Sequence, residues 1–200
     1  MKNVKVLAAA SGLALNFLLF GVKLYVGISS ASLSVYCDAI NNLGDTFACI
    51  IALLGFLMLK RLSERQSDRM QSLCTFVISI LIAATGIYFV YNGLERFMYP
   101  LPVQYANVYA ITIAVTVLVK IGMGFMFRMF DKKSPSPVIK ALSLDSFLDC
   151  FITLAALMSL VLIRRVNYAV DGVFAIITGS IITASAIKNI ISQTKYLIND

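Results

Sequence analysis

The 200-residue chain has no tryptophan and no histidine, and only 14% of its residues are charged. The missing histidine removes the Ser-His-Asp triad, the Cys-His dyad and histidine-rich metal sites together. A disordered chain is also excluded, because disorder needs low hydrophobicity. Four cysteines (Cys37, Cys49, Cys74 and Cys150) all lie within apolar stretches. Their spacing is neither that of a zinc knuckle nor that of a secreted disulfide framework. No G-x-x-x-x-G-K-[ST] run occurs, so the chain carries no phosphate-cradling P-loop. Apolar residues are what it has in abundance: they make up 60% of the chain, and the mean hydropathy is +0.87. A soluble domain runs to roughly half apolar. The default is therefore an integral membrane protein rather than a soluble globular enzyme.

A span of the hydrocarbon core takes about 20 apolar residues. Six such runs fit, at 6–28, 31–60, 72–94, 105–130, 138–163 and 168–190. The first continues too far past a short apolar core for a cleaved signal peptide. The expected fold is an all-α membrane protein of six transmembrane helices. Residues 61–71 and 131–137 read as polar connectors, and 95–104 as a proline-containing turn. The link at Ser29–Ser32 is short enough to make the first two helices antiparallel neighbours.

The net charge of +7 is spread between the apolar runs rather than gathered on one patch, which favours membrane orientation over nucleic acid as its meaning. One set of ends and loops carries Lys2, Lys5, Lys60, Arg61, Arg65, Arg69, Arg128, Lys132, Lys133, Lys140, Lys188 and Lys195. The other carries Arg96, Arg164 and Arg165. Basic residues accumulate on the cytoplasmic side, so both termini are expected there. Lys23 and Lys120 fall inside spans, and snorkelling along their aliphatic stems towards an interface would accommodate them.

Asp38, Asp45, Asp145, Asp149 and Asp171 also fall inside the apolar runs. A charge at mid-bilayer costs roughly 3 kcal/mol on insertion scales, so such acids are retained where they bind ions, relay protons or pair with cations. Asp38, Asn41 and Asp45 follow the i, i+3, i+7 stripe of one helix, and Asp145 and Asp149 are one turn apart on another. At about 1.5 Å per residue, Asn41 lies roughly 15 Å and Asp45 roughly 21 Å below the outer edge. Asp145 lies about 10 Å and Asp149 about 16 Å from the inner edge. In a core of about 30 Å, Asp149 is level with Asn41 and Asp145 with Asp45. If the two faces meet, three carboxylates and one amide surround a space suited to one divalent cation. Pairing with Lys23, Lys120 and hydroxyls is the alternative, although two lysines do not balance five acids. Asp38 and Asp171, nearer the outer surface, either line a pathway as accessory residues or cap helix ends. Spans 2 and 5 also align at an offset of 104 residues, where Asp45, Phe47, Ala52 and Leu53 match Asp149, Phe151, Ala156 and Leu157. This would suit a 3+3 inverted repeat.

With these residues in view, the chain resembles the cation diffusion facilitator family. Asn16, Lys23 and Gly27, leading into a serine-rich turn, are similar to that family's N-x(6)-K-x(3)-G run. DAINNLGD in span 2 resembles its D-A-x-H-S-L-x-D, and DSFLD in span 5 resembles its H/D-x-x-x-D. Asp171 and Gly172 open a last span that ends in KNIISQTKYLIND, like the family's final helix. The resemblance implies a secondary active transporter, not an enzyme: a proton-coupled exporter of divalent metal working by alternating access in the plasma membrane. It carries the central metal site onto Asn41, Asp45, Asp145 and Asp149. Asn41 stands where the family often has His or Asp, and Asp145 where zinc carriers commonly have His, so every donor here is oxygen.

Oxygen donors suit Mn²⁺, Mg²⁺ and Ca²⁺ better than the softer metals. The Asn-Asp-Asp-Asp set resembles the manganese-exporting branch, which makes Mn²⁺ the expected cargo, with Fe²⁺ and Zn²⁺ as alternatives. Mg²⁺ keeps several waters and fits a dry site poorly. Cys49 and Cys150 would serve a softer metal but read as small apolar core residues. The expected partners are the metal ion, protons, the lipid bilayer and a second copy in a homodimer, with no nucleic acid and no cofactor. The resemblance makes 1–200 the cation-efflux transmembrane domain, with no C-terminal cytoplasmic domain in this chain, and dimerisation would be weaker without one. Two other readings are a proton-coupled exporter of organic cations, which would want aromatic walls, and a non-transporting membrane subunit, which has no use for five buried acids.

Overall fold

Apolar runs in lipid must satisfy their backbone groups internally, and helices do so along their whole length. The computed structural model describes residues 2–58, 64–166 and 168–199 and contains six helices. They are α1 (Lys2–Ser30), α2 (Leu33–Met58), α3 (Glu64–Met98), α4 (Asn107–Lys133), α5 (Pro137–Leu162) and α6 (Ala169–Asn199). Each holds a stretch of 24 to 30 residues that is long and apolar enough to cross a membrane. No strand occurs among the described residues. Leu18, Tyr25, Leu81, Leu118, Leu148 and Phe151 are among the large apolar side chains facing outward, as lipid requires. Six crossings return the C-terminal end to the side from which α1 starts.

The helices outrun the expected spans. Glu64–Gln71, expected within a polar connector, forms the first two turns of α3, and α6 continues past residue 190 to Asn199. Hydropathy marks the hydrocarbon core, whereas Glu, Arg, Gln and Lys propagate a helix well beyond it. Residues 131–133 likewise belong to α4, which leaves a shorter turn, held by the Ser136 amide donating to Asp131 Oδ1 at 2.9 Å. Lys60 and Arg61, and the last two residues of the second expected span, lie outside the described residues.

α1 pairs most extensively with α2, α4 with α5, and α3 with α6. Helices three apart in order also meet: α1 with α4, α2 with α5, α3 with α6. A two-halves arrangement calls for this pattern, but the correspondence is incomplete. α2 packs on α6, whereas α3 does not meet α5 among the described residues. The α3–α6 pair is backbone against backbone. A Cβ on Gly172 would lie 2.7 Å from the Gly93 carbonyl oxygen, and one on Gly179 2.9 Å from that of Gly86. Small residues let membrane helices approach this closely.

The turn between α1 and α2 closes with the Ser32 amide donating to the Gly27 carbonyl and the Ala31 amide to that of Ile28, both at 3.1 Å. Ala31 sits at φ 53°, the left-handed position such a helix end requires. A small apolar cluster joins Cys37, Phe89 and Ala175. Two larger ones fill the bundle: one joins Ala8, Ala9, Cys49, Phe56, Phe127 and Ile139, and the other joins Val26, Val35, Ile113, Ala156 and Leu160. Between these levels lies a layer of buried polar side chains that includes Asn16, Lys23, Asp38, Lys120, Asp149 and Thr153.

Candidate metal centre

α2 descends past this layer as α5 ascends, so their acidic stripes meet at one height. One carboxylate oxygen from each of Asp45, Asp145 and Asp149 can be chosen so that all three lie within 4.8 Å of one another. Asn41 joins them across the helix pair, its Nδ2 donating to Asp149 Oδ1 at 2.8 Å. The structure thus brings the four expected ligands to one place. A pocket of about 320 Å³ opens on them, lined by Asn41, Asp45, Asp145 and Asp149 and continuing to Ser185 and Asn189 on α6. It runs from the midplane towards the end of the bundle that carries the termini. Phe151 is the single aromatic ring among its described lining residues; the rest of the apolar wall is aliphatic or small.

Both intramembrane lysines are buried and turned inward, which corrects the snorkelling expectation. Lys120 Nζ donates to Asp45 Oδ2 at 2.8 Å, to Asp149 Oδ2 at 2.5 Å and to Asn16 Oδ1 at 2.9 Å. Lys23 Nζ donates to Asp38 Oδ1 at 2.9 Å and Thr153 Oγ1 at 2.8 Å. An ammonium beside a carboxylate in the interior reaches its partner without stretching to the headgroups, and each offsets the other's desolvation. Pairing and clustering therefore coexist. Two of the three clustered carboxylates, Asp45 and Asp149, share one ammonium, and Asp145 lies beside them. The snorkelling expectation misplaced both lysines, although for Lys120 a signal was there. At about 1.5 Å per residue from the start of its span, it lies roughly 22 Å deep, level with Asp45.

Asp38 and Asp171 are placed apart from the cluster. Asp38 is fully buried, held by Lys23 and, through Oδ1, by Thr153 Oγ1 at 3.2 Å. Asp171 caps α2 from across the bundle. It accepts from the Leu33 amide at 2.7 Å, the Ser34 amide at 3.3 Å, and the hydroxyls of Ser32 and Ser34, each at 2.7 Å. Ser159 Oγ adds a bond at 3.0 Å, and Arg96 lies 3.4 Å from Oδ2 while also donating to the Ala31 carbonyl. A carboxylate with so many donors ties α2, α3, α5 and α6 together at one end of the bundle. Cys49 Sγ accepts from Asn16 Nδ2 at 3.6 Å and packs in the apolar core, and Cys150 Sγ donates to the Ser146 carbonyl at 3.3 Å.

Comparison with known proteins points the same way. The chain is 23% identical over 175 residues to the cation-efflux pump FieF of Shewanella oneidensis, covering 86% of this chain and 59% of that protein. It is 26% identical over 172 residues to metal tolerance protein 11 of Arabidopsis thaliana, covering 81% and 42% respectively. It is 32% identical over 116 residues to the zinc transporter ZitB of Escherichia coli, covering 56% and 36%. The chain thus spans about half the length of the curated relatives it matches. Residues 9–198 match the family described as the cation efflux transmembrane domain, and with six membrane-length helices and nearly its whole length matched, the chain belongs to that family.

Proposed function

We propose that this protein exports divalent metal cations by alternating access, with Asn41, Asp45, Asp145 and Asp149 as the metal ligands. The observation that carries the reading is the meeting of three carboxylates from α2 and α5 within 4.8 Å, inside a six-helix membrane unit. Isolated charges at that depth are costly. Three on facing helices around one space are matched best by a dication. The donors fit a hard metal: three carboxylates and an amide whose Oδ1 can turn inward, with no imidazole anywhere in the chain. Mn²⁺ is the proposed cargo on this ground. Fe²⁺ and Zn²⁺ are the alternatives, since carboxylates also bind Zn²⁺ and one relative carries the name of a zinc transporter.

Metal binds deprotonated ligands, so loading releases protons and protonation favours unloading. Exchange of metal for protons follows as the proposed mode, with no covalent step. The pocket extending towards the terminal side is the proposed cytoplasmic entrance, in a plasma-membrane carrier whose termini are both cytoplasmic and which works as a homodimer. Its aliphatic lining disfavours an organic cation, which would be held against aromatic faces.

The test is uptake into proteoliposomes over Mn²⁺, Fe²⁺, Zn²⁺, Co²⁺ and Cd²⁺, with and without a pH gradient. We expect transport to be driven by the gradient and greatest for Mn²⁺. Asp45→Ala, Asp145→Ala and Asp149→Ala should each abolish it. Retained transport in two of the three would refute the assigned site, and a response to Zn²⁺ alone would overturn the cargo.

A further inference from the structure

The acidic cluster already holds a cation belonging to the chain itself. Lys120 Nζ is bonded to Asp45 Oδ2, Asp149 Oδ2 and Asn16 Oδ1. An ammonium has three N–H donors, so all are used. Two are spent on carboxylates proposed to take the metal. The third is spent on an amide of α1 that is not a proposed ligand. The lysine is fully buried, so its head group does not divide its time with an interface. Metal–oxygen bonds of roughly 2.0–2.6 Å would put a dication against the same oxygens that the ammonium contacts. Like charges cannot share those oxygens without strong repulsion at low dielectric.

Building on the metal-site reading above, we propose that Lys120 is a tethered placeholder: its ammonium fills the carboxylate cluster of the empty carrier and yields Asp45 and Asp149 to an incoming dication by withdrawing onto Asn16. Asn16 is suited to receive it. Its oxygen already accepts from Lys120, and its Nδ2 is turned the other way, towards Cys49 Sγ. Asp145 lines the same pocket as Asp45 and Asp149 but is not among the partners of Lys120, so an arriving ion can meet it without displacing the ammonium. Asn41 must turn as well, because its Nδ2 now donates to the Asp149 oxygen nearest it. The other intramembrane lysine does not compete for the cluster, being held by Asp38 and Thr153. The placeholder lets the unloaded protein change conformation without carrying bare, mutually repelling carboxylates through the membrane interior.

The experiment is calorimetric titration of the purified full chain with Mn²⁺ at one pH and ionic strength, with folding checked by circular dichroism. Lys120→Met removes the competitor, and Mn²⁺ should bind about tenfold tighter or more. Asn16→Leu removes the refuge and drives the ammonium back among the carboxylates, and Mn²⁺ should bind about tenfold weaker. A merely structural lysine would weaken binding in both variants, so the opposite signs are diagnostic. Folded Lys120→Met with unchanged or weaker Mn²⁺ affinity overturns the placeholder. Should that variant not fold, Asn16→Leu decides alone, and unchanged or tighter binding there overturns it. Wild-type chain that binds none of Mn²⁺, Fe²⁺ and Zn²⁺ overturns the metal-site reading itself, and the placeholder with it.

Discussion

At the scale of single residues, the buried ion pairs decide most. Lys23 and Asp38 are both wholly buried, and Asp38 Oδ2 has no partner among the described residues. The pair is poorly insulated against losing either member. Removing one partner of a buried pair leaves an uncompensated charge and costs about 3–5 kcal/mol, whereas replacing both by apolar groups is often nearly neutral. Lys23→Met and Asp38→Leu should each lower thermal stability in detergent by that amount, and the double variant should recover most of the loss. Additive losses in the double-mutant cycle would show that the two side chains do not depend on each other. The acids of this layer were legible in the sequence because apolar flanks make a charge conspicuous. Their partners were not. A lysine has a long stem, and hydropathy alone does not reveal whether it points to the interface or to a carboxylate.

At the scale of helices, α3 and α6 are held by contact between backbones. A Cβ on Gly179 would sit 2.9 Å from the Gly86 carbonyl oxygen and 3.0 Å from the Val90 amide nitrogen. Neither can move aside as a flexible side chain could. Gly179→Val should therefore force the pair apart and cost about 1–3 kcal/mol or more, the usual range for overpacking. Gly21 has open space around its Cβ position. Gly21→Ala should gain up to about 1 kcal/mol through helix propensity. Melting curves of the two variants by circular dichroism check both signs, and equal melting temperatures would rule out close α3–α6 packing as a source of stability. Helix existence was readable from runs of apolar residues. Helix ends were not, since Glu64–Gln71 and the tail of α6 are polar enough to read as loop yet continue the hydrogen-bonded spiral.

At the scale of the molecule, the distribution of basic residues predicts the orientation. Arg128, Lys132, Lys133 and Lys140 surround the α4–α5 turn, while the last turn of α3, leading into the α3–α4 connection, carries Arg96 beside Glu95. Pro135 and Pro100 are exposed on these two connections. In intact cells, a membrane-impermeant maleimide should label Pro100→Cys and leave Pro135→Cys unlabelled until the membrane is permeabilised. The reverse pattern would invert the protein and make the pocket beside Asp145 and Asn189 an external entrance.

The sequence by itself determined the solvent and the cost: six apolar runs demand lipid, and acids within them demand a reason to stay. It also determined depth along each helix, because rise per residue is constant. Rotation about each helix axis, and therefore which partner each polar side chain finds, was decided only when the helices packed. Only the tertiary structure turned Lys120 towards Asp45 and Asp149 and set Asp171 beneath the first turn of α2. Those contacts join residues up to 138 positions apart, and no local pattern records them. They are fixed where apolar surfaces and glycine contacts lock the helices together.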